Sequence, residues 1–594
     1  MTLIQSAPLT QRTKRTVGRV YQSMCVMFAI SMMMLGGICT RLAYLQLVEG
    51  GRNRQLAEDN RIRLIPSQPA RGNIFDRNGK VIASSRISHT LFLWPLAQKP
   101  KKWRATLSQL APLVDRTPKS LIDQLERAGY NSLMPVRVQR SLTPNQVTAL
   151  EEYSRELVGV EVNVEGVRTY PYGTAAAHVL GYTGEVDEYQ LEQAPEKEYR
   201  IGDIVGQLGI EAALEHELRG EWGGRQVEVD SRGQVIQVIG EKRAKGGRDV
   251  QLTLDIELQK AAEAVLGETK GAIVAIDPRN GEVLAMVSRP GFDPNLFSRR
   301  MSDKDWQELQ DADHPFVNRA LQGFPPASTF KIVTTTAAIE SEEFSPYTVL
   351  PTYPYITVGG IQFWDWNNEG FGYLGFPGAM AWSSDTFFYQ IAQGIGGKTL
   401  IDWTRRYGFG SLTGIELAAE ESPGLVPDND WKEKMLGESW FLGDTINMSI
   451  GQGYLQASPL QVAVMFAVPA NGGYRVKPHL VKKGSLEEWR ESLNLMPETL
   501  EMLQQGLREV VTNGTGTKMA SASLPPTAGK SGTAEAPPYE SHTWFGAYAP
   551  YDDPEVAIVA FGEHSGEGGG SFAAPMVRQV METYFNLKAQ RGGG

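Results

Sequence analysis

The sequence predicts a multidomain protein of the α+β class that begins with a membrane helix. Its 594 residues, 41% of them hydrophobic, are enough for two or more globular domains. A stretch without acidic residues near the N-terminus has the composition of a membrane span. From about residue 248 onward, apolar runs of strand length alternate with helical patterns, which is typical of a mixed domain.

The apolar stretch runs from Tyr21 to Tyr44 and is near the minimum length for a transmembrane helix. Basic residues precede it and no acidic residue occurs before Glu49, which favours a cytoplasmic N-terminus. A cleavable signal peptide is the alternative, but no small-x-small site follows the apolar core. We predict a cytoplasmic tail at residues 1–20 and an uncleaved transmembrane helix at 21–45; the preceding basic residues are Arg12, Lys14, Arg15 and Arg19.

Net charge and cysteine content exclude two classes of protein. The formal net charge of −10 argues against a nucleic-acid binder, because phosphate contacts need a basic surface. The two cysteines, Cys25 and Cys39, both lie in the apolar stretch, so the rest of the chain cannot form a disulfide framework.

Two domains are predicted beyond the membrane helix. Residues 46–245 contain polar turns and no motif that carries chemistry, whereas residues 246–588 contain all the candidate site residues. A Gly-rich loop followed by a predicted strand, Asp249–Asp255, sets the boundary, and we expect residues 589–594 to be a disordered tail. In the second domain we predict an antiparallel hairpin, three more strands and a closing helix, at Ala272–Ile276 with Glu282–Ser288, Lys530–Thr533, Trp544–Ala549, Val556–Gly562 and Ala573–Phe585.

Ser328 is the only serine with a lysine, Lys331, three residues after it. Residues three apart share a helix face, about 5–6 Å apart at Cβ, so this lysine can reach the hydroxyl. Pro325 and Pro326 precede the serine and an apolar segment follows, which places Ser328 at the start of a buried helix. The alternative is a helix cap with a surface lysine. We predict a nucleophile and its base, with the lysine pKa lowered by burial and by a second cation.

Two further motifs follow in the chain. Ser383–Asp385, which alone could be a turn or helix cap, leads into a second apolar segment, and Lys530–Thr533 precedes a strand-like run. A P-loop at Lys530 would need glycine at position 524, which is Leu524. The tryptophan-rich loop Phe363–Asn368 has one carboxylate and no His or Cys, so we interpret it as an aromatic substrate-side loop and not a metal site.

The three motifs, in this order, resemble the S-x-x-K, S-D-N and K-T-G signature of penicillin-binding proteins and serine β-lactamases. Over nearly its whole length the chain is similar to class B penicillin-binding proteins of the cell-elongation type. It departs from the general pattern with Asp385 in place of Asn, as in the elongation branch, and with Ser531 in place of Thr, which keeps a hydroxyl. The similar stretches are Ala70–Gly79, Arg168–Gly173, Gly206–Glu211, Gly271–Asp277, Ser449–Gly453 and Gly568–Pro575.

The resemblance implies a D,D-transpeptidase that cross-links peptidoglycan stem peptides through an acyl-serine intermediate and is inhibited by β-lactams. Ser383 would relay a proton to the leaving D-alanine and Asp385 would position neighbouring polar groups. Lys530 and Thr533 would receive the terminal carboxylate, and the backbone N–H groups of Ser328 and Thr533 would form the oxyanion hole. No metal or organic cofactor is needed. The implied catalytic residues are Ser328, Lys331, Ser383, Asp385 and Lys530, and the substrate-binding residues are Ser531, Gly532 and Thr533.

The resemblance also implies an architecture and partners. Residues 46–245 would form an elongated pedestal (dimerisation-like) domain, and residues 246–588 a penicillin-binding transpeptidase domain with a five-stranded antiparallel sheet flanked by helices. The protein would be anchored once in the inner (plasma) membrane, with its catalytic domain on the periplasmic side. Nothing before residue 246 resembles a glycosyltransferase. We therefore expect a SEDS-family membrane glycosyltransferase and other elongation-complex proteins as partners, contacted through Tyr21–Tyr44 and the region near Arg61–Arg77.

Three alternatives share the motifs. A D,D-carboxypeptidase or β-lactamase differs in what releases the acyl group, and the long anchored first domain disfavours it. A penicillin-sensing receptor would need a signalling domain, but only about twenty residues precede the apolar stretch. A non-enzymatic structural activator of a membrane glycosyltransferase would not need intact motifs.

Overall fold

A computed structural model describes residues 11–49, 51, 62–130, 132, 135–193, 199, 202–229, 235–299, 301–482 and 485–592. The chain forms two compact units. One consists of Met1–Pro69 with Glu221–Lys245, and the other of Ala70–Gly220 with Gly246–Gly594.

The first unit contains a long apolar helix and a small sheet. The helix spans Gln11–Ala43 and continues as a π-helical turn, Tyr44–Val48. Its segment Arg19–Val48 is exposed, and by length and composition it could cross a membrane. The predicted span at 21–45 lies within it. The helix also extends back into the predicted tail as far as Gln11, and residues 1–10 are outside the described part of the chain. The sheet has three antiparallel strands, in the spatial order Ile62–Ser67, Gly223–Val229 and Val235–Lys242.

The second unit begins with a sheet built around one long strand, Val81–Leu93. This strand pairs antiparallel with Val160–Thr169 from Ser84 to Leu93, and with Val136–Gln139 at its C-terminal end. Ile74–Phe75 links it to Val250–Gln251, which runs parallel to Ile74–Phe75. The predicted strand Asp249–Asp255 is therefore only two residues long and joins the sheet of the preceding domain. Three helices pack around the buried side chain of Trp103, at Pro100–Leu113, Pro118–Ala128 and Pro144–Glu152.

Smaller elements complete this part of the second unit. Thr183–Glu185 pairs antiparallel with Ile204–Gly206. Four short helices lie at Ala177–Leu180, Glu188–Gln193, Gly209–Ala213 and Glu215–Arg219.

A buried ion cluster stabilises this region. The Glu211 carboxylate is fully buried and accepts hydrogen bonds from Arg71 Nε at 2.6 Å and Arg168 Nε at 2.5 Å. The Tyr170 hydroxyl is 3.3 Å from the same carboxylate. Arg71 also pairs with Glu215 at 2.7 Å. Because the partners are far apart in sequence, the cluster joins several segments.

The remainder of the second unit is organised by a five-stranded antiparallel sheet, which confirms the predicted architecture. We call it the central sheet; its order is Val283–Arg289, Gly271–Ile276, Val556–Gly562, Tyr539–Ala549 and Ala528–Ala536. The first two strands form the predicted hairpin. The last strand, Ala528–Ala536, carries the third motif at the edge of the sheet.

Both faces of the central sheet are buried. Because successive side chains of a strand point to opposite faces, each strand contributes to two cores. Ile273 and Ala275 belong to a core formed with the helices Ile256–Leu266 and Ala573–Gly592. Ala272, Val274 and Ile276 belong to the larger core on the other face. The helices that contribute to this core are Lys331–Glu340, Phe376–Ala381, Asp385–Arg406, Leu442–Ser449, Pro459–Ala470 and Pro497–Thr512.

Peripheral elements surround this core. Helices lie at Asp303–Asp311 and Asn429–Leu436. Three two-stranded ladders pair Val349–Thr352 with Gly372–Gly375, Tyr355–Val358 with Ile361–Trp364, and Tyr474–Val476 with Arg490–Ser492.

The closing helix is longer than predicted. It extends from Ala573 to Gly592, where the sequence predicted a helix to Phe585 and a disordered tail from residue 589. Arg591 near its end pairs with Asp255 and Glu257, which gives the last turn a tertiary partner. Residues 593–594 lie outside the described residues.

Candidate active site

Ser328 lies in a tight turn, Ala327–Phe330, directly before the helix Lys331–Glu340, as the sequence predicted. The serine is partly exposed, whereas the neighbouring Ala327 is buried. Ala327 has φ of 51°, a left-handed conformation that is unfavourable for a residue with a side chain. Its N–H donates to the carbonyl of Gly451 at 2.9 Å. Such strain persists only where surrounding contacts hold the backbone, so the turn is a rigid platform for Ser328.

Lys331 is completely buried beneath this turn. Its Nζ donates to the backbone carbonyl of Ser383 at 2.8 Å and to the Ser383 hydroxyl at 3.2 Å. It also contacts Asp385 Oδ1 at 2.6 Å, which makes an ion pair with little access to solvent. The first motif is thereby fixed to the second.

Ser383 is the centre of the cluster. Its hydroxyl receives a hydrogen bond from Lys530 Nζ at 2.8 Å as well as the one from Lys331. Ser383 has φ of 57°, a second left-handed position, and Ser384 caps the helix Asp385–Arg406. The three motifs, far apart in sequence, therefore meet at one hydroxyl.

The protonation equilibria of this cluster depend on burial. Burial lowers the pKa of Lys530 well below its ordinary value; the charge of Lys331 adds to this, and Asp385 opposes it. Burial raises the pKa of Asp385, Lys331 opposes the rise, and Asp365 adds to it. The structure shows this lowering by burial and by a neighbouring cation at Lys530; the lowered pKa expected at Lys331 stays a prediction.

The strand Ala528–Ala536, which we call the third-motif strand, packs against the turn Ala327–Phe330. A Cβ on Gly532 would lie only 3.2 Å from Ala327 Cβ and from Thr329 Cγ2, so glycine allows this close approach. The resemblance implied that Gly532 binds substrate; in the structure its missing side chain makes room for the turn Ala327–Phe330. Ser531 is buried, with its hydroxyl 2.7 Å from that of Thr515.

Thr533 is exposed at the end of the third motif. Its hydroxyl accepts a hydrogen bond from the N–H of Gly569 at 3.3 Å, and Gln452 Nε2 donates to its carbonyl at 3.4 Å. A hydroxyl on an exposed sheet edge is available to a ligand, which is the environment the substrate-binding prediction requires.

Asp365 was not among the predicted site residues. This carboxylate is 3% exposed and accepts hydrogen bonds from Ser384 and Thr386, which flank Asp385. We interpreted its loop as a substrate-side surface. The single acidic residue among tryptophans was the only sequence signal, because its partners are distant along the chain. Within the described residues, no group of three or more His, Cys, Asp or Glu side chains is arranged to hold a metal ion.

Residues 271–582 match the protein family described as "Penicillin binding protein transpeptidase domain", and residues 66–252 match "Penicillin-binding Protein dimerisation domain". The first match alone covers more than half of the chain. The chain belongs to the penicillin-binding protein family, as a transpeptidase with a dimerisation domain.

Full-length relatives confirm the elongation-type, penicillin-binding protein 2 resemblance. The chain is 34% identical to peptidoglycan D,D-transpeptidase MrdA of Haemophilus influenzae, over 95% of this chain and 91% of the relative. Penicillin-binding protein PBP2 of Helicobacter pylori, solved in complex with MreC, has a TM-score of 0.81 and 29% identity, covering 89% of this chain and 100% of that one. A chain from the structure "Structural coordination of polymerization and crosslinking by a peptidoglycan synthase complex" has a TM-score of 0.71 and 33% identity, covering 96% and 99%.

Proposed function

We propose that this protein is a membrane-anchored peptidoglycan D,D-transpeptidase that cross-links stem peptides during cell-wall elongation, through an acyl intermediate on Ser328. Family membership supports the reaction class. The single observation that carries the site is the Ser383 hydroxyl, which contacts Lys331 and Lys530 beside the Ser328 turn. Serine hydroxyls become nucleophiles when an adjacent base takes their proton, and this cluster can supply one.

Acylation starts with a proton relay. Lys331 accepts the Ser328 proton while passing one of its own to Ser383, and Ser383 passes its proton to neutral Lys530. The lowered pKa of Lys530 supports its role as the neutral end of the relay. Ser328 then attacks the carbonyl of the penultimate D-alanine of a donor stem. Ser383 returns a proton to the leaving D-alanine amine, and Lys530 replenishes Ser383.

Substrate binding uses the third-motif strand. Its free edge can pair with an extended stem peptide, in the manner of an added strand. The backbone N–H groups of Ser328 and Thr533 serve as the oxyanion hole, and Lys530 with the Thr533 hydroxyl receives the terminal carboxylate. The amine of a second stem then attacks the acyl carbonyl, the bond to Ser328 Oγ breaks, and the proton lost by the amine returns to Ser328, which leaves the cross-linked product and free enzyme.

Covalent labelling tests the nucleophile. Full-length protein should be acylated by a fluorescent penicillin, with the adduct mapped by mass spectrometry to Ser328, and Ser328→Ala should not label. Ser341→Ala, at the C-terminal end of the helix that follows Ser328, is the matched control and should label like wild type, because its hydroxyl donates to the carbonyl of Ala338 at 3.1 Å, within its own helix. Covalent labelling of folded Ser328→Ala would overturn the assignment.

The released product separates transpeptidation from its alternatives. With a pentapeptide donor and an amine acceptor, a transpeptidase forms the cross-linked dimer, whereas a carboxypeptidase releases the shortened donor by hydrolysis. A β-lactamase would instead turn over penicillin rapidly. A structural activator would give none of these products in the presence of its glycosyltransferase.

We propose that the Arg19–Val48 segment anchors the protein in the inner membrane, with the catalytic domain on the periplasmic side. Basic residues before the span support this orientation. The membrane anchor itself is supported by the length and hydropathy of the helix.

We propose that the partner is a SEDS-family glycosyltransferase of the elongation machinery. The similarity to a synthase complex that couples polymerization to crosslinking, and to a protein bound to MreC, supports a place in such an assembly. The anchor presents Gly36 and Gly37 with open space beside them, and the Thr40 hydroxyl donates to the Gly36 carbonyl at 2.8 Å. This small face can pack closely against another membrane helix.

We propose that the membrane-proximal contact with this partner uses a segment shorter than Arg61–Arg77. Arg71 and Arg77 are engaged in internal ion pairs, with Glu211 and Glu282. Arg61 lies outside the described residues. The strand Ile62–Ser67 is at the edge of its sheet and is available to a partner.

An anchor exchange tests this partner. An unrelated membrane helix in place of residues 21–45, and separately Gly36→Leu with Gly37→Leu, should reduce co-purification with the glycosyltransferase and its polymerisation rate. Leu35→Ile, which keeps volume and polarity, is the control. Unchanged co-purification and polymerisation in both variants, and after replacement of residues 62–69, would contradict the proposed surface.

A further inference from the structure

A buried carboxylate outside the three motifs holds the second motif in place. Asp365 Oδ2 accepts the Ser384 hydroxyl at 2.8 Å and the Thr386 backbone N–H at 2.9 Å. The Thr386 hydroxyl lies 2.9 Å from the same oxygen and also contacts the backbone of Tyr353. One buried oxygen therefore binds the residues on both sides of Asp385.

The same loop binds the chain on the other side of Ser383. Trp366 Nε1 donates to the carbonyl of Trp382 at 3.0 Å. The residues before and after Ser383 are thus both held by this loop: Trp382 by Trp366, and Ser384 by Asp365. This matters because Ser383 is in a left-handed conformation, which only external contacts can maintain.

We infer that Asp365 is a positioning residue of the transpeptidase site: through Ser384 and Thr386 it holds Ser383 and Asp385 where they contact both lysines. The inference deepens the proposed function and rests on it. Its charge also acts on the site, because Lys331, Lys530 and Asp365 are the charged groups that face the Asp385 carboxyl. Asp365 therefore has a geometric effect and an electrostatic effect, which substitutions can separate.

Asp365→Ala removes both effects. The acylation rate constant for penicillin should fall by about 100-fold, the order expected when reacting groups are displaced by about 1 Å, with little change in the affinity of the preceding non-covalent complex. Asp255→Ala is the matched control, because Asp255 is also a buried carboxylate that caps a helix, and its partners are outside the three motifs. It should lower the melting temperature comparably and leave the acylation rate unchanged.

Asp365→Asn keeps an acceptor oxygen but removes the charge, and it keeps the test valid if the alanine variant does not fold. Because the negative charge raises the pKa of Asp385, its removal should move the acidic limb of the acylation profile to lower pH. A merely structural carboxylate would leave that limb in place. A double-mutant cycle with Ser384→Ala should show coupling, since the two side chains share a hydrogen bond.

The outcomes are distinguishable. Failure of wild-type protein to acylate at Ser328 would overturn the proposed function, and this inference with it. Wild-type acylation combined with an unmoved acidic limb in Asp365→Asn would overturn the inference alone. So would a rate loss in Asp365→Ala that Asp255→Ala reproduces.

Discussion

At the scale of residues, the site is a buried cluster of charges joined by one hydroxyl. Placing Lys331 and Asp385 away from water costs free energy, and their attraction offsets this only with good geometry and further hydrogen bonds. Both conditions are met, since the pair is 2.6 Å apart and Lys331 also donates to Ser383. The Lys331–Asp385 pair therefore adds little to the free energy of unfolding. Its main effect is to fix the position of the lysine relative to Ser328.

Asp385→Asn tests whether charge or position matters. The structure favours charge, because Asp385 forms an ion pair with Lys331. Burial raises the Asp385 pKa, so in wild type the ionised form is lost at a higher pH than for an exposed aspartate. We expect acylation to fall by roughly 10- to 100-fold, as for loss of a charge-assisted hydrogen bond of about 1.5–3 kcal/mol, and the acidic limb to flatten. The measurement is the penicillin acylation rate between pH 4 and 9.

The control for this variant is Asp402→Asn, since Asp402 pairs with a lysine on the protein surface. It should behave like wild type. If Asp385→Asn acylates at the wild-type rate with an unchanged pH profile, the charge of Asp385 has no role in acylation. Asp385 would then act only by positioning its neighbours, as an Asn at this position could.

At the scale of elements, we expect catalysis to depend on the fit between the turn Ala327–Phe330 and the third-motif strand. The strand approaches the turn closely because Gly532 has no side chain. The turn is braced from the other direction by Gly451, whose carbonyl accepts the Ala327 N–H. A small displacement of either element would change the distance between the backbone N–H groups of Ser328 and Thr533, which we propose form the oxyanion hole.

Gly532→Ala should therefore impair acylation more than stability. The added methyl overpacks the contact with Ala327 and costs about 1–3 kcal/mol if the strand does not move. If the strand moves, stability is spared and the acylation rate falls. Gly166→Ala is the control, because its Cβ would only reach ordinary contact, 3.7 Å from Ser85 Cβ. Comparable acylation rates in the two variants would contradict the importance of this contact.

The ion cluster around Glu211 should govern the stability of its region. Burial alone would raise the Glu211 pKa, but Arg168 and Arg71 outweigh it, and the pKa lies below its ordinary value of 4.5. A lowered carboxylate pKa contributes stability that is present above about pH 4.5 and is lost as pH falls through the folded-state pKa.

Glu211→Gln should lower the free energy of unfolding by about 3–5 kcal/mol at neutral pH, because two buried guanidinium groups lose a counter-ion. The difference from wild type should shrink below about pH 4.5. Thermal unfolding across pH is the measurement. The control Glu217→Gln affects only a long contact with exposed Arg248 and should change little. An equal effect of the two substitutions would exclude a special role for the cluster.

At the scale of the whole molecule, the chain combines a unit that contains the candidate membrane helix with a large unit that contains the candidate site. The division predicted at residues 245 and 246 stays a prediction. The second unit includes strands from both sides of that point, since Val250–Gln251 pairs with Ile74–Phe75. Dividing the chain between residues 245 and 246 would therefore remove Val250–Gln251 from the sheet built around Val81–Leu93.

The membrane orientation can be measured with single cysteines, because the natural ones, Cys25 and Cys39, both lie in the anchor helix. In a background with both replaced by serine, Lys398→Cys introduces a thiol at a side chain that is 91% exposed. In spheroplasts, a membrane-impermeant maleimide should label it, and should label Ser6→Cys only after permeabilisation. The reverse pattern would contradict a periplasmic catalytic domain.

The sequence by itself determined the chemistry and the order of the parts. Ser328 and Lys331 were predicted from their spacing at the start of a buried helix, whereas the roles of Ser383, Asp385 and Lys530 were implied by the resemblance of the three motifs to a known family. The apolar helix and the antiparallel hairpin could also be predicted from the sequence, because their hydrophobic patterns depend on neighbouring residues alone.

Only the tertiary structure decided how these groups act on one another. It buried Lys530, which lowers the pKa of that lysine, paired Lys331 with Asp385, and placed Asp365 in hydrogen-bond contact with Ser384 of the second motif. A pKa depends on burial and on charges within a few ångströms, and here the nearest charges come from segments far apart in the chain. No local pattern records such distances, because they are set by how helices and strands pack.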